Sequence, residues 1–421
     1  MAPAPLWLYR ALLTVGLPVA APWLLLADRR RGKKRPPWVQ RLGWQLPQLP
    51  QGAVWVQAVS VGEVAVARSL LAELRRRHPE RPVILSATTA TGLAMASGAQ
   101  LADVTLPFPV DLPGPVRRTM NAAHPRLVVL VETELWPELL AACGTRGIPV
   151  ALVNARISDR SFRGYRLLRV LLRPLLAPIT VALAQSEQDA ARLAAIGVPS
   201  DRIRTTGNIK FDAAPPGARP RMLEDLQRVA AGRAVVIAGS TMPGEDGAVL
   251  DAVLALPIER RPFLVLAPRH PERASELLQL TAAKGLPAMR RTLIADALPG
   301  CPVVVLDTVG ELAALYQLAD VAFVGGSLVA TGGHNPIEPA RFGVPVLTGP
   351  HLRNFAAVYR YFIAAGAARV VHSGEALATA LEAWLTDRAA ARRAGEAGLA
   401  LLVRHAGATA RTVDALELLL Q

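Results

Sequence analysis

Alternation limits this chain's fold more than any other feature. Short apolar runs rich in β-branched residues recur between Ala/Leu/Arg-rich stretches: "AVWVQAVS" (53–60), "PVILSATT" (82–89), "ADVTLPF" (102–108), "LVVLVET" (127–133), "PVALVNA" (149–155), "TVALAQS" (180–186) and "RIRTTGN" (202–208). Continuous apolar runs of this length are the pattern of parallel strands covered on both faces, and the intervening stretches suit the crossover helices that parallel strands need. The stretch "FDAAPPGARPRM" (211–222), with three prolines, then interrupts the pattern as a linker does. The alternation restarts with "AVVIAGST", "FLVLAPR", "VVVLDTV", "VAFVGGS", "VPVLTGP" and "ARVVHS".

Two α/β halves of similar size joined by a proline-rich connector predict two Rossmann-like domains facing a cleft, with ligand at the carboxyl ends of the strands. We expect a first domain over residues 36–212, a linker at 213–222 and a second domain over 223–421, whose last helix is free to pack back on the first. The 421 residues suffice for two cores, and with only 5% aromatic residues those cores are filled by Leu, Val and Ala. Neither half carries G-x-G-x-x-G after its first strand, and no G-x-x-x-x-G-K-[ST] occurs. A conventional dinucleotide fingerprint and a P-loop are therefore excluded. Cys143 and Cys301 fit neither a metal spacing nor a disulfide framework, which points to a reducing compartment.

The net charge is +14, and apart from Lys33, Lys34, Lys210 and Lys284 every basic side chain other than histidine is arginine. That charge favours anionic partners. No zinc-finger spacing, basic-region heptad or RNP-like strand occurs, so nucleic acid is not the expected partner. Near the N-terminus, "ALLTVGLPVAAPWLLL" (11–26) precedes "ADRRRGKKR" (27–35). The run is short for a spanning helix, which needs about 20 residues, and Pro18 and Pro22 interrupt it. Its charge follows the apolar core instead of preceding it, unlike a signal peptide. Residues 1–35 thus read as an N-terminal membrane anchor with a basic flank that keeps the body cytoplasmic. A basic amphipathic stretch at 154–178, with Arg160, Arg163, Arg166, Arg169 and Arg173 among Phe162, Tyr165, Leu168, Leu171 and Leu172, suits an anionic lipid surface, and equally an ordinary solvated helix.

Candidate chemistry lies at strand ends. Ser60-Val61-Gly62-Glu63 has the spacing of a capping box, and Glu63 also stands where a general base would. A helix start lowers such a carboxylate's basicity, while burial or a neighbouring Glu132 raises it. Glu132 and Glu134 end another strand ahead of Trp136-Pro137, and Lys210 adjoins the linker. In the second half, "GSTMPGED" (239–246), "APRHPER" (267–273), "DTVGEL" (307–312) and "VGGSLVATGGHNPIEPA" (324–340) read as strand-to-helix turns that offer backbone donors to an anion. Taken singly, Thr308-x-x-Glu311 is another capping box and Asn335-Pro336 a helix start, with Glu338 following.

In their order and spacing, "SVGE", "ETELWP", "NAR", "GNIKFD", "GST", "PRHPER", "DTVGEL" and "GGHNPIEPA" resemble the 3-deoxy-D-manno-octulosonic acid (Kdo) transferases of Gram-negative bacteria. The resemblance implies a GT-B fold and inverting transfer of Kdo from CMP-Kdo to a lipid A precursor (lipid IVA) at the cytoplasmic face of the inner membrane. No metal and no cofactor is implied, the donor CMP-Kdo being a substrate. By the same resemblance Glu63 is the base, and Glu132 and Lys210 support the transition state. Pro268 with Arg269, Val309 with Gly310 and Glu311, and Asn335 with Pro336, Ile337 and Glu338 hold the nucleotide. Met242 stands where such proteins often carry His, so no ligand contact is transferred to it. The runner-up is another membrane-associated GT-B enzyme using a different nucleotide sugar.

Overall fold

The computed structural model describes residues 3–16, 38–98, 100, 102–212, 220–296 and 300–421. The expected anchor lies mostly outside them, as does the larger part of the linker. The chain divides into two compact units, Met1–Ala213 with His405–Gln421, and Ala214–Arg404.

The first unit opens with helix α1 (residues 4–16) and the short α2 (Trp38–Arg41). There follow β1 (Val54–Ala58), α3 (Val61–Arg77), β2 (Val83–Ala87), α4 (Ala90–Gly98), β3 (Val104–Pro107), α5 (Pro113–Ala123), β4 (Leu127–Val131) and α6 (Pro137–Arg146). The unit continues through β5 (Val150–Ala155), α7 (Asp159–Leu167), α8 (Arg169–Leu176), β6 (Val181–Ala184), α9 (Glu187–Ile196) and β7 (Ile203–Thr205). Among the described residues these strands form one parallel sheet in the order β3-β2-β1-β4-β5-β6-β7. Strands β1, β2, β4 and β5 are buried along their whole length. Alternate side chains feed two cores: Trp55, Ile84, Val128 and Leu152 on one face, Val54, Leu85, Val129 and Val153 on the other. That is why these strands read as unbroken apolar runs.

The second unit comprises α10 (Pro220–Ala230), β8 (Val235–Thr241), α11 (Asp246–Leu254), β9 (Phe263–Pro268), α12 (Ala274–Ala283), β10 (Ala288–Arg290), β11 (Val303–Val305) and α13 (Leu312–Leu315). It ends with β12 (Val321–Val324), α14 (Ile337–Ala340), β13 (Val346–Thr348), α15 (Ala356–Ala364), β14 (Ala368–Val370), α16 (Gly374–Thr386) and α17 (Arg388–His405). Its sheet is again parallel, ordered β10-β11-β9-β8-β12-β13-β14.

The last helix, α18 (Ala408–Leu420), returns to the first unit. Val413 and Leu416 enter the core beneath α3, and Asp212 accepts bonds from the N–H groups of Gly407 (2.7 Å) and Thr409 (2.5 Å) at the helix start. At the other end of the chain, α1 is held by buried Leu6, by Tyr9 donating to Asp111 (2.9 Å), and by Arg10 paired with Glu138 (2.7 Å). Trp7, Leu8, Leu12 and Val15 on the same helix are exposed. The basic stretch forms α7 and α8, which leave Leu167, Leu168 and Val170 exposed beside Arg163, Arg166 and Arg169. Among the described residues no helix is long and apolar enough to cross a membrane.

Candidate active site

In each sheet the order of connection reverses once, between β1 and β4 in the first unit and between β8 and β12 in the second. Loops leave in opposite directions at such a point and open a crevice beyond the strand ends. The sequence motifs converge on both points.

In the first unit Glu63 follows β1 and Glu132 and Glu134 follow β4. Glu63 is 8% exposed. Its Oε2 accepts from the Val59 N–H (2.6 Å) and its Oε1 from the Ser60 hydroxyl (3.0 Å). This is not the reciprocal box that the spacing predicts, because the Ser60 side chain makes no cap bond to the helix backbone. The hydroxyl is turned to the carboxylate instead. Burial raises the Glu63 pKa above the ordinary glutamate value, Glu132 adds to the rise, and the Val59 N–H, the Ser60 hydroxyl and Lys210 oppose it. Burial therefore outweighs the helix start.

Lys210 reaches Glu132 with Nζ 2.7 Å from Oε1, and Arg156 lies 3.4 Å from the other oxygen. Lys210 is aimed by Asn154, whose Oδ1 accepts from the Ile209 N–H (3.0 Å), and by Asn208, whose Oδ1 accepts from the Lys210 N–H (3.0 Å). Glu132 and Asn154 both hold left-handed backbone (φ 60° and 52°). That conformation costs about 1–3 kcal/mol per non-glycine residue and collects where a site over-determines it. Glu134 is pushed up to about 7, first by burial and then by Glu63 and Glu132. The first unit thus brings Glu63, Glu132 and Lys210 together, with Glu134 near them and Arg156 as a further contact.

In the second unit Pro268 ends β9 and is buried, while Arg269 beside it is exposed. Gly310 has φ 83° and Val309 is 82% exposed in the turn before α13. Glu311 is buried: it accepts from Arg291 (2.9 Å) and from the Thr308 hydroxyl. The capping box expected at Thr308 is replaced by an ion pair. Asn335 accepts from the Ile337 N–H (3.1 Å) and donates to Glu338 (3.2 Å), which fixes the Asn-Pro-Ile-Glu turn. Burial raises the Glu338 pKa, against the lowering effect of Asn335, Arg341 and Arg269.

One expectation is overturned. The turn after β12 does not offer its backbone donors to an outside anion. The N–H groups of Gly326 (2.6 Å), Ser327 (2.8 Å) and Leu328 (2.8 Å) all point at Glu245, which also accepts from the Met242 N–H (2.9 Å). Glu245 is completely buried. Its signal lay within "GSTMPGED", but nothing local marks a carboxylate whose partners lie some eighty residues on. Arg291 lay in no motif. Among the described residues no group of three His, Cys, Asp or Glu is placed to hold a metal ion.

Two parallel sheets with polar clusters at both reversal points define a GT-B fold. A solved UDP-GlcNAc 2-epimerase from Neisseria meningitidis is similar in fold, with a TM-score of 0.58 over 86% of this chain and 99% of that one at 14% identity. The family profile described as "3-Deoxy-D-manno-octulosonic-acid transferase (kdotransferase)" matches residues 37–213. A 3-deoxy-D-manno-octulosonic acid transferase of Bordetella pertussis is 40% identical, covering 98% of this chain and 95% of that one. One from Haemophilus influenzae is 35% identical over 87% of each. The chain belongs to the 3-deoxy-D-manno-octulosonic acid transferase family.

Proposed function

We propose that this Kdo transferase takes its sugar from CMP-Kdo and passes it, with inversion and without a metal, to a lipid A precursor (lipid IVA). The observation that carries the reading is Glu63: a buried carboxylate of raised basicity at the reversal point of the first sheet, beside the Lys210–Glu132 pair. An acceptor hydroxyl is a weak nucleophile and needs a base as it attacks. In one displacement the acceptor O–H proton passes to Glu63 and the acceptor oxygen bonds to the anomeric carbon. The bond from that carbon to the CMP phosphate breaks with its electron pair on the phosphate oxygen. Glu132 and Lys210 support the charge that develops. Pro268, Arg269, Val309, Gly310, Glu311, Asn335, Pro336, Ile337 and Glu338 hold the nucleotide. In this reading the phosphate's charge is met by a guanidinium instead of a metal ion.

The same reading places the enzyme on the cytoplasmic face of the inner membrane. Support comes from two helices of the first unit: α1 exposes Trp7 (61%) and Leu12 (64%), and α8 exposes Val170 (83%) beside arginines. Both helices line one cavity of about 520 Å³, through Leu6 and Leu175. Such a mixture of apolar and basic side chains fits anionic lipid. The deciding experiment supplies full-length protein with CMP-Kdo and tetraacylated lipid A precursor in EDTA. Stoichiometric CMP release with a Kdo-extended lipid of inverted configuration is expected. Release of nucleotide from UDP-sugars alone sinks the reading.

A further inference from the structure

Lys210 stands on a single 3₁₀ turn, Ile209–Asp212, which follows β7 and opens with the Phe211 N–H bonded to the Asn208 carbonyl (3.1 Å). A turn of that length is too short to hold a conformation by itself. Lysine adds a flexible four-carbon stem, so Nζ keeps its 2.7 Å contact to Glu132 only if the backbone beneath it is fixed from outside. Asn154 and Asn208 fix the N–H groups at the start of the turn. The rest of the support comes from α18.

Ile209 is completely buried in the core that Ala408 and Val413 of α18 share with Val64 and Ala67 of α3. Phe211 is buried, and its ring stacks on that of His405 with centroids 4.9 Å apart. Asp212 closes the turn from its far side, one carboxylate oxygen accepting the Gly407 N–H (2.7 Å) and the other the Thr409 N–H (2.5 Å). The Thr409 N–H is one of those that a helix start leaves without an intrahelical partner, and the helix dipole favours a carboxylate there. Ahead of the turn, Arg411 donates to the Thr206 carbonyl (2.9 Å) and the Thr412 hydroxyl to that of Thr206 (3.2 Å). The same helix braces the far end of α3, where Arg77 pairs with Asp414 (2.5 Å) and His78 lies 2.8 Å from Glu417. Both the helix that carries Glu63 and the turn that carries Lys210 therefore rest on α18.

We infer that Asp212 is a positioning residue for the transfer: by tying the Ile209–Asp212 turn to the start of α18, it holds Lys210 Nζ against Glu132. The inference rests on the roles given to Lys210 and Glu63 above. Asp212 acts only through Lys210.

Charge and position have opposite signs here, which makes the role measurable. The charged groups acting on Glu63 are Glu132 and Glu134 from the loop after β4 and Lys210 from the turn, while Arg156 engages Glu132. Removing the negative charge of Asp212 with nothing moved would leave Glu63 as acidic as before, or more so. Letting Lys210 drift takes a cation away from Glu63 and makes it less acidic. A displaced Lys210 thus moves the acidic limb of kcat/KM to higher pH, and the lost Asp212 charge cannot.

The test measures kcat, donor KM, the pH profile of kcat/KM and ligand-free melting, using full-length protein with CMP-Kdo and tetraacylated lipid A precursor. The variants are Asp212→Ala, Asp212→Asn, Lys210→Met, the double variant Asp212→Ala with Lys210→Met, and Arg77→Met. Asp212→Ala is expected to lower kcat about 10- to 100-fold, the scale of a catalytic group misplaced by about 1 Å, and to move the acidic limb up in pH as Lys210→Met does. Asparagine, which keeps an acceptor oxygen and removes the charge, recovers most of both. In the Lys210→Met background, Asp212→Ala changes neither any further. Arg77→Met loosens α18 at the far end of α3 and lowers the melting temperature with the limb unmoved. The inference is overturned if the limb stays in place or moves down in Asp212→Ala, if its effects multiply with those of Lys210→Met, or if Arg77→Met moves the limb equally. If Lys210→Met itself changes neither kcat nor the limb, the role given to Lys210 falls and the inference with it. Should alanine prevent folding, Asp212→Ser, with a single oxygen nearer the backbone, replaces it in every comparison.

Discussion

Glu63 and Glu245 occupy the same place in two domains. Each follows the first strand of its sheet, at the reversal point, and enters the helix after that strand. Their surroundings are opposite. Glu245 is wholly buried and accepts from four backbone N–H groups, so it has no capacity left for a substrate. Glu63 accepts one backbone N–H and one hydroxyl, and burial raises its basicity. A carboxylate accepts about four bonds, so half of this one is unspent. The number of donors around it, more than its position in the fold, separates a carboxylate spent on building a loop from one with acceptor capacity to spare.

Exchanging each for glutamine breaks the comparison if it is false. Glu63→Gln is expected to lower turnover by about 10²- to 10⁴-fold, the range for a lost general base, while CMP binding persists. Because Glu63 holds its proton more tightly folded than unfolded, its contribution to stability declines as pH rises from the ordinary glutamate range through the raised value. At pH 8 the variant should therefore melt no lower than wild type. Glu245→Gln should do the reverse. It turns amide N–H groups toward backbone N–H groups and should cost about 2–4 kcal/mol of stability in denaturant unfolding, with donor KM rising as the loop loosens. Should Glu245→Gln keep wild-type stability and lose only turnover, the two residues are not different in kind.

A finer comparison uses charge. Lys210 lowers and Glu132 raises the pKa of Glu63, so Lys210→Met should move the acidic limb of the kcat/KM profile to higher pH and Glu132→Gln to lower pH. Equal movement in one direction would mean that Glu63 is not the titrating group. The smallest effect is expected from Ser60→Ala. It removes one bond to Oε1, costs about 0.5–1.5 kcal/mol, and shifts the acidic limb upward with turnover changed only a few-fold.

The alternation of apolar runs made both parallel sheets legible, since a strand covered on two faces has no polar side to mark it. The strand-end residues were legible for the same reason: Glu63, Glu132 and Arg269 stand where apolar runs stop. What spacing misjudged were the two boxes. Ser60-x-x-Glu63 and Thr308-x-x-Glu311 have the right interval, yet burial of the glutamate turns the hydroxyl toward the carboxylate in both. Glu245 and Arg291 were illegible because their partners are distant in sequence, on elements that only the folded sheet brings alongside. The Arg156 contact to Glu132 was hidden in the same way, although "NAR" itself stood out.

Helix α18 belongs to the first unit, yet it follows the whole second unit in sequence. Until it arrives, the underside of α3 lacks Val413 and Leu416, and Asp212 lacks the two N–H groups it caps. On the ribosome the lobe that begins first is accordingly completed last, after the whole intervening lobe has emerged. A nascent chain stalled anywhere before Ala408 therefore leaves the apolar underside of α3 uncovered, which makes the arrival of α18 a checkpoint on the unit that emerged first.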